Sequence, residues 1–378
     1  MANVGLCMIV KNEAHVIRQC LDSVLPFIDR LVISDTGSTD GTQNLCRAWF
    51  AEHGTQGEVH QDEWRDFAFN RNRALERLRS FQDIDYALIM DADDLLVIDQ
   101  WPSISKMKAD LAADAYMVAI ADAGVSYHRP HLVRNRAGYR YRGVLHEFLE
   151  IPADASRAPL PGVTIQSRRL GDRSRDPQKY AKDAEVLESA LWNENDEFMR
   201  ARYFFYLGQS YKDAGKFEEA IIAYRARAEK GFFKDEIFIS LYRIAQIMEI
   251  SGYSDNEVLA AYASAAAFDS CRAEALHGAA RFCRLRELYD EGYAIARKGL
   301  FIEKPTNGLF VENWVYDYAL LDEFSILAYW SGHYRESLNA SCDLLMSDVV
   351  PAEHIDRIRT NARFARQKVR PNWLYATT

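Results

Sequence analysis

The sequence holds no C-x-x-C pair. Its six cysteines, Cys7, Cys20, Cys46, Cys271, Cys283 and Cys342, lie mostly in apolar or helical runs, which reads as reduced, buried thiols of a cytoplasmic protein. No apolar run approaches the roughly 18 residues of a membrane span. Met1-Ala-Asn lacks the basic start of a secretion signal, so a soluble chain is expected. A basic excess is missing too. Residues 1–170 carry 19 Lys and Arg against 23 Asp and Glu, and the remainder 27 against 32. This argues against a protein that tracks nucleic-acid phosphates, though not against an enzyme acting on one nucleotide. There is also no G-x-x-x-x-G-K-[ST] phosphate loop.

What is present suits a globular chain of two domains, since 378 residues exceed one typical core. The first half alternates short apolar runs with helical patterns. Val4–Val10, Leu31–Ser34, Glu58–Gln61 and Tyr86–Met90 are expected as strands, and 13–25, 45–53 and 67–78 as helices. This order predicts βαβ units and a mainly parallel sheet. From Ala115 four short strands without helices (116–120, 132–135, 139–142 and 144–150) predict an antiparallel edge. A proline-bearing stretch, 151–177, is expected as the boundary, with the basic run "SRRLGDRSRD" as linker. Domains of 1–170 and 178–378 follow.

The second half reads as helical throughout. Phe204, Leu207, Gly208, Tyr211, Ala220 and Tyr224 stand at tetratricopeptide spacings. An aromatic recurs at Phe217, Tyr253, Tyr289 and Tyr334, the first two gaps both being 36 residues. Such hairpins cannot bury their own faces and are expected to stack into a solenoid. The cluster Trp314, Tyr316, Tyr318, Phe324, Tyr329 and Trp330 is assigned mainly to solenoid core, with some members lining a concave acceptor surface.

The chemistry centres on "DYALIMDADDLLVI", where an apolar strand runs into Asp91, Asp93 and Asp94. In an extended segment Asp91 and Asp93 face the same way. Two carboxylates at about 6 Å repel by about 3 kcal/mol at an effective dielectric of about 20. A hard divalent cation completed by a diphosphate would turn that repulsion into coordination. The competing reading is a solvated acidic turn in which Asp93 or Asp94 caps a following helix.

"KNEA" after the first strand, "DTGSTDGT" after the second, then "DFAFNRNRALE" and "DADD" stand in an order that resembles family-two glycosyltransferases of the GT-A fold, over about residues 3–150. The helical half resembles the tetratricopeptide extension of one branch, which includes bacterial peptide S-glycosyltransferases. The resemblance implies an α/β GT-A-type, Rossmann-like domain with a mainly parallel sheet and an antiparallel edge, joined to an all-α solenoid. It implies a nucleotide-sugar donor, a UDP-sugar being commonest, with Mn²⁺ or Mg²⁺. Val10, Lys11, Asn12 and Glu13 would line the nucleoside side, and Asp35 and Thr36 the base and ribose. Asp66, Arg71 and Asn72 would border the diphosphate beside Asp91 and Ala92, with Asp91 and Asp93 as the metal pair. From the residues alone, "DTGSTDGT" also reads as a plain strand-to-helix turn capped by Ser38 or Asp40, and Arg73 and Arg77 as surface positions.

In "YRYRGVLHE", alternation sets Tyr139 and Tyr141 against Arg140 and Arg142. The arginines suit either a phosphate or acceptor contact or a solvated hairpin face. "GVLHE" resembles the branch's Gly-x-x-His-Glu element. It implies His146 as a ligand of acceptor, sugar or metal and Glu147 as the general base of an inverting transfer; a purely structural His-Glu pair is the alternative. Arg168, Arg169, Arg173 and Arg175 suit either a lid folded over the diphosphate or a basic linker, the linker being preferred. Two departures stand out. The Glu-Asp pair that supplies the base in many members has no clear counterpart, and Gln166 and Ser167 replace the histidine often found before the helical extension. The expectation is transfer of a sugar to an unidentified hydroxyl or thiol of a peptide, glycan, lipid headgroup or modified nucleotide. The rival is a peptide-binding scaffold with an inactive transferase domain.

Overall fold

The computed structural model describes residues 1–99, 103–122, 125–306 and 308–369. The chain divides into two compact units, Met1–Ala190 and Leu191–Thr378. In the first unit strands β1 (Val4–Val10), β2 (Arg30–Asp35), β3 (Gln56–Gln61) and β4 (Tyr86–Ile89) run parallel, interleaved with helices α1 (Ile17–Val24), α2 (Thr42–His53) and α3 (Phe67–Arg79). β5 (Leu95–Ile98), α4 (Ile104–Ala109), β6 (Ala115–Asp122), β7 (Val125–Arg134), β8 (Arg140–Arg142), β9 (Phe148–Glu150) and β10 (Arg157–Ser167) follow. Eight strands form one sheet in the order β3-β2-β1-β4-β7-β6-β10-β5, while β8 and β9 make a separate antiparallel ribbon.

β1 is central and buries both faces. Val4, Leu6, Met8 and Val10 pack with Ile17, Cys20, Leu21 and Val24 of α1 and with Cys46, Trp49 and Phe50 of α2. Cys7 packs on the other side with Ala74, Leu75 and Leu78 of α3. That explains the uninterrupted apolar run: a parallel strand covered by helices on both sides has no solvated face to mark with polar residues.

Three expectations change. First, α1 begins at Ile17, four residues later than the pattern predicts, because the amides of Asn12, Glu13 and Ala14 are held by Ser38, Thr42 and Asp40. Second, no helix follows the acidic triplet. Residues 95–98 form β5, paired antiparallel with β10, which removes the helix-cap reading of Asp93 and Asp94. Third, the stretch expected as linker supplies β10 itself. Its prolines are accommodated because Pro159 precedes the break in register with β6, where no ladder donor is needed.

Among its described residues the second unit has helices and no strands. α5 (Lys179–Asn193), most of which belongs to the first unit, leads into hairpins α6/α7 (Glu197–Asp213, Phe217–Ala228), α8/α9 (Lys234–Ile250, Asp255–Phe268) and α10/α11 (Glu274–Leu285, Tyr289–Gly299). After a π-helical turn at Val315–Ala319 come α12 (Leu320–Trp330), α13 (Tyr334–Met346) and α14 (Ala352–Lys368). Phe217, Tyr289 and Tyr334 open the second helices of their hairpins, and Tyr253 stands two residues ahead of α9. Of the aromatic cluster, Phe324 is buried whereas Trp314 and Trp330 are exposed by 44% and 59%, so the cluster is only partly core. Among the described residues no helix is long and apolar enough to cross a membrane.

Gly208 sets the closeness of α6 and α7, because a Cβ there would lie 2.7 Å from the buried Tyr224 ring. Gly208→Ala is expected to cost about 1–3 kcal/mol by overpacking. A lowered thermal midpoint of the helical signal checks this; an unshifted midpoint would mean the ring has room to move.

Candidate active site

β2, β1 and β4 lie side by side and point the same way, so their carboxyl ends share one edge. The chain departs from β1 in opposite directions, towards β2 and towards β4. This is the topological switch at which open α/β sheets form their ligand crevice. Val10, Asp35 and the acidic triplet all sit at that edge.

On the β2 side, Asp35 is fully buried. Its Oδ1 accepts from the amides of Gly37 (3.0 Å) and Ser38 (2.9 Å) and from Gln43 Nε2 (2.9 Å). Its Oδ2 is buried with no hydrogen-bond partner among the described residues. Thr36 donates both its amide and its hydroxyl to the Val10 carbonyl. Asn12, in the left-handed region at φ 56°, takes the Thr39 amide on Oδ1 at 2.9 Å. Together with the three amide contacts that delay α1, this fastens the loops after β1 and β2 to each other. The cap of α2 is Gly41, not Ser38 or Asp40. Lys11 is exposed.

On the β4 side, the guanidinium of Arg71 bridges two carboxylates. Its Nη2 donates to Asp91 Oδ1 at 2.7 Å and its Nε to Glu147 Oε1 at 2.6 Å. Arg71 and Glu147 are nearly enclosed, with side chains 12% and 13% exposed, while Asp91 is half open at 53%. Burial opposes the charge on Arg71, yet the two carboxylates hold it protonated. Lost hydration favours a neutral Asp91, but the charge and hydrogen bond of Arg71 outweigh it and lower that carboxyl. Burial, with the charges of Asp91 and Asp93 added, pushes the Asp94 carboxyl up to about 7. Ala92 is buried between the two acidic neighbours.

Asp91 and Asp93 offer the hard oxygen donors that suit Mg²⁺ or Mn²⁺. Among the described residues no group of three or more His, Cys, Asp or Glu side chains is arranged to hold a metal ion. His146, exposed and in the left-handed region at φ 51°, therefore does not complete a three-ligand set with them. A cation here would draw the rest of its shell from non-protein oxygens.

Several residues have other partners than expected. Asn72 is engaged with the ribbon, donating to the Tyr141 carbonyl at 2.9 Å and accepting its amide at 2.7 Å, so it braces β8. Asp66 caps α3 through the Phe69 amide at 2.7 Å. Arg140 and Arg142 both pair with Glu150 across the ribbon, which favours the hairpin-face reading. Arg77 is no plain surface group: it bonds Ser34 Oγ at 2.9 Å and Asp62 Oδ1 at 2.5 Å. The segment after β10, read as a linker in preference to a lid, folds onto the site. Arg168 Nε donates to the Asp93 carbonyl and the Gly171 amide to Asp93 Oδ2, both at 2.8 Å, while the Asp172 amide reaches Glu13 Oε1 at 3.3 Å.

Sequence reasoning missed His131 and Asn70. His131 Nδ1 donates to the Ile89 carbonyl at 2.6 Å, and burial favours its neutral ring. Asn70 is fully buried and ties Glu63 and Arg65 into the loop before α3. Only Asn70 left a signal, a polar residue on the inner face of a helix.

Glu13 yields a pH prediction. Burial pushes its carboxyl from 4.5 up to about 7, despite the opposing Asp172 amide. Between those values the folded state holds a proton that the unfolded chain has lost, so this group's contribution to stability falls as pH rises through the window. Glu13→Gln is expected to flatten that part of the slope in urea unfolding; an unchanged slope would mean Glu13 is ionised throughout.

The sequence pattern described as "Glycosyl transferase family 2" matches residues 6–160. A TPR repeat-containing protein of Synechococcus elongatus is 34% identical over 154 residues, covering 40% of this chain and 36% of that protein. The SPbeta prophage-derived glycosyltransferase SunS of Bacillus subtilis is 29% identical over 101 residues, covering 26% and 22%. The matched part thus spans about a third or less of each of these relatives. Among solved structures, S. aureus TarS 1–349 in complex with UDP-GlcNAc aligns at TM-score 0.34 and 13% identity over 68% of this chain and 83% of that one. A tetratricopeptide repeat protein from Parabacteroides merdae aligns at TM-score 0.38 and 18% identity over 50% and 68%. The match to the glycosyl transferase family 2 pattern falls on the α/β unit, and helical hairpins follow it.

Proposed function

We propose that this protein transfers a sugar from a nucleotide-diphosphate sugar, a UDP-hexose, to an acceptor hydroxyl or thiol with inversion at the anomeric carbon. The observation that carries the reading is Asp35 Oδ2, a buried acceptor lacking a donor, on the same sheet edge as the bridge from Asp91 through Arg71 to Glu147. An unpaired buried carboxylate oxygen is costly. An imide N–H such as that of uracil would satisfy it, with Val10, Lys11, Asn12, Glu13 and Thr36 around the nucleoside. Asp91 and Asp93 would hold Mg²⁺ or Mn²⁺, which when bound neutralises charge on the leaving diphosphate. Arg71 adds a fixed positive charge beside it.

Glu147 is the proposed base. Its Oε1 is tied to Arg71, which fixes the carboxylate's direction. Its Oε2 would take the acceptor's proton as the acceptor oxygen or sulfur bonds to the anomeric carbon. The anomeric C–O bond breaks with its electron pair going to the diphosphate. His146, adjacent and exposed, is the proposed contact to acceptor or sugar.

Two outcomes test this. Asp35→Asn keeps an oxygen for the loop amides but sets a donor against the base. UDP affinity by calorimetry in Mn²⁺ is expected to weaken about 10–100-fold; an unchanged Kd would remove the base assignment. Glu147→Gln is expected to leave UDP binding intact while slowing transfer by about 100-fold or more. Transfer at the wild-type rate would disqualify it. A donor-hydrolysis screen across nucleotide sugars identifies the substrate for that assay.

A further inference from the structure

Three of the connections that follow second helices in the helical unit are five residues long: 229–233, 269–273 and 347–351. The fourth, between α11 and the π-helical turn, runs from 300 to 314, fifteen residues. A connection that long is unusual in a compact repeat and generally has work to do. Its final part, Gly308–Trp314, is laid back along the first helices of the three preceding hairpins.

The contacts follow one pattern. The Leu309 amide donates to Asp235 Oδ2 of α8 at 2.7 Å, and its carbonyl accepts from Arg272 Nη1 and Nη2 at 3.3 and 3.4 Å. The Phe310 carbonyl accepts from Arg272 Nη2 at 3.5 Å, and the Glu312 amide donates to Glu274 Oε1 at 3.2 Å. Arg272 and Glu274 are themselves almost wholly enclosed, with side chains 4% and 1% exposed. Side chains of the solenoid thus grip the main chain of the segment, a grip indifferent to its sequence. Specificity sits at two further points. The Phe310 ring stacks on Phe205 of α6 with centroids 6.5 Å apart. The Glu312 carboxylate meets Tyr242 OH at 3.3 Å and Arg243 Nη1 at 3.8 Å, both on α8. His277 of α10 meets the edge of Trp314 at the far end.

Stacked repeats use such a face for extended ligands, and here the chain's own loop holds it. The loop does not fit it without strain. Phe310, an aromatic residue, is in the left-handed region at φ 50°, and its ring remains 47% exposed. A bulky side chain at positive φ is an outlier that the surroundings must impose. A separate peptide lying on the same helices need not adopt it.

We propose that Gly308–Trp314 is an internal occupant of a peptide groove, displaced by a partner protein's extended segment that presents an aromatic side chain two residues before a carboxylate. The proposal is independent of the sugar-transfer reading, since it concerns binding without any nucleotide. It also makes the groove shut to weak ligands and open only to segments that match both points.

The test uses the full chain and a fluorescein-labelled peptide of the sequence GLFVENW, read by anisotropy without sugar nucleotide. The double variant Phe310→Ala/Glu312→Ala weakens the internal occupant at both specific points. It is expected to bind the peptide at least tenfold more tightly than the wild type. The same peptide with Phe and Glu replaced by alanine is expected to lose that gain. No peptide binding by a variant whose helical circular dichroism matches the wild type would overturn the proposal. Should the variant misfold, amide exchange in the wild type decides. A Leu309 amide that exchanges well before those of α8 and α10, and faster with added peptide, supports displacement. One protected like those helices and indifferent to peptide makes the loop a fixed part of the core and ends the idea.

Discussion

The Arg71 guanidinium holds together three stretches of chain that are far apart in sequence. It rises from α3, reaches the end of β4 through Asp91 and reaches the turn before β9 through Glu147. A planar fork fixes the directions in which two carboxylates are held, which a lysine's freely rotating ammonium does not. The arrangement sets the charge state on each side. Asp91 stays ionised beside the guanidinium, while Asp94, buried without such a partner, is pushed towards its neutral form. At Asp91 the arginine prevails over burial, whereas at Asp94 burial and the two neighbouring carboxylates prevail over the arginine.

Around that bridge the sheet edge is built by mutual fastening. The loops after β1 and β2 exchange side-chain to backbone hydrogen bonds, and the segment after β10 closes over Glu13 and Asp93 through its own amides. The amides that would otherwise continue α1 back to Glu13 are used to hold the loop instead. Local helical pattern yields there to contacts with residues about 26 to 29 positions away. Polar groups left over at this edge, Asp35 Oδ2, Glu13 Oε2 and Arg168 Nη2, are buried and have no hydrogen-bond partner among the described residues. Native proteins rarely leave such groups unpaired except where something else is to bind.

The helical unit follows the same logic with different materials. Glycines against aromatic rings set the approach of helices, within a hairpin at Gly208 with Tyr224 and between successive hairpins at Gly278 with Tyr262. Ion pairs such as Arg281 with Glu249 and Arg284 with Glu323 link one hairpin to the next. The one long connection then uses the face those helices present.

Much of this was legible in the residues. Apolar runs bounded by turn residues located β1, β2 and β4, and period-36 aromatics located the hairpins, because strand alternation and helix stacking impose local periods. Asp91, Arg71 and Glu147 were each singled out as candidates; their meeting through one side chain was not. Nor could periodicity find β5 and β10. A four-residue apolar run beside an acidic turn, and a proline-rich stretch, become strands only when each supplies the other's missing hydrogen bonds. The sequence by itself determined the two-part organisation, the parallel sheet and the identity of the acids and bases at its edge. The tertiary structure alone decided which of those groups are paired, which are spent on bracing the backbone and which are left buried with an open valence. Those outcomes depend on contacts between residues 69 or more positions apart, and such distances leave no periodic trace in the chain.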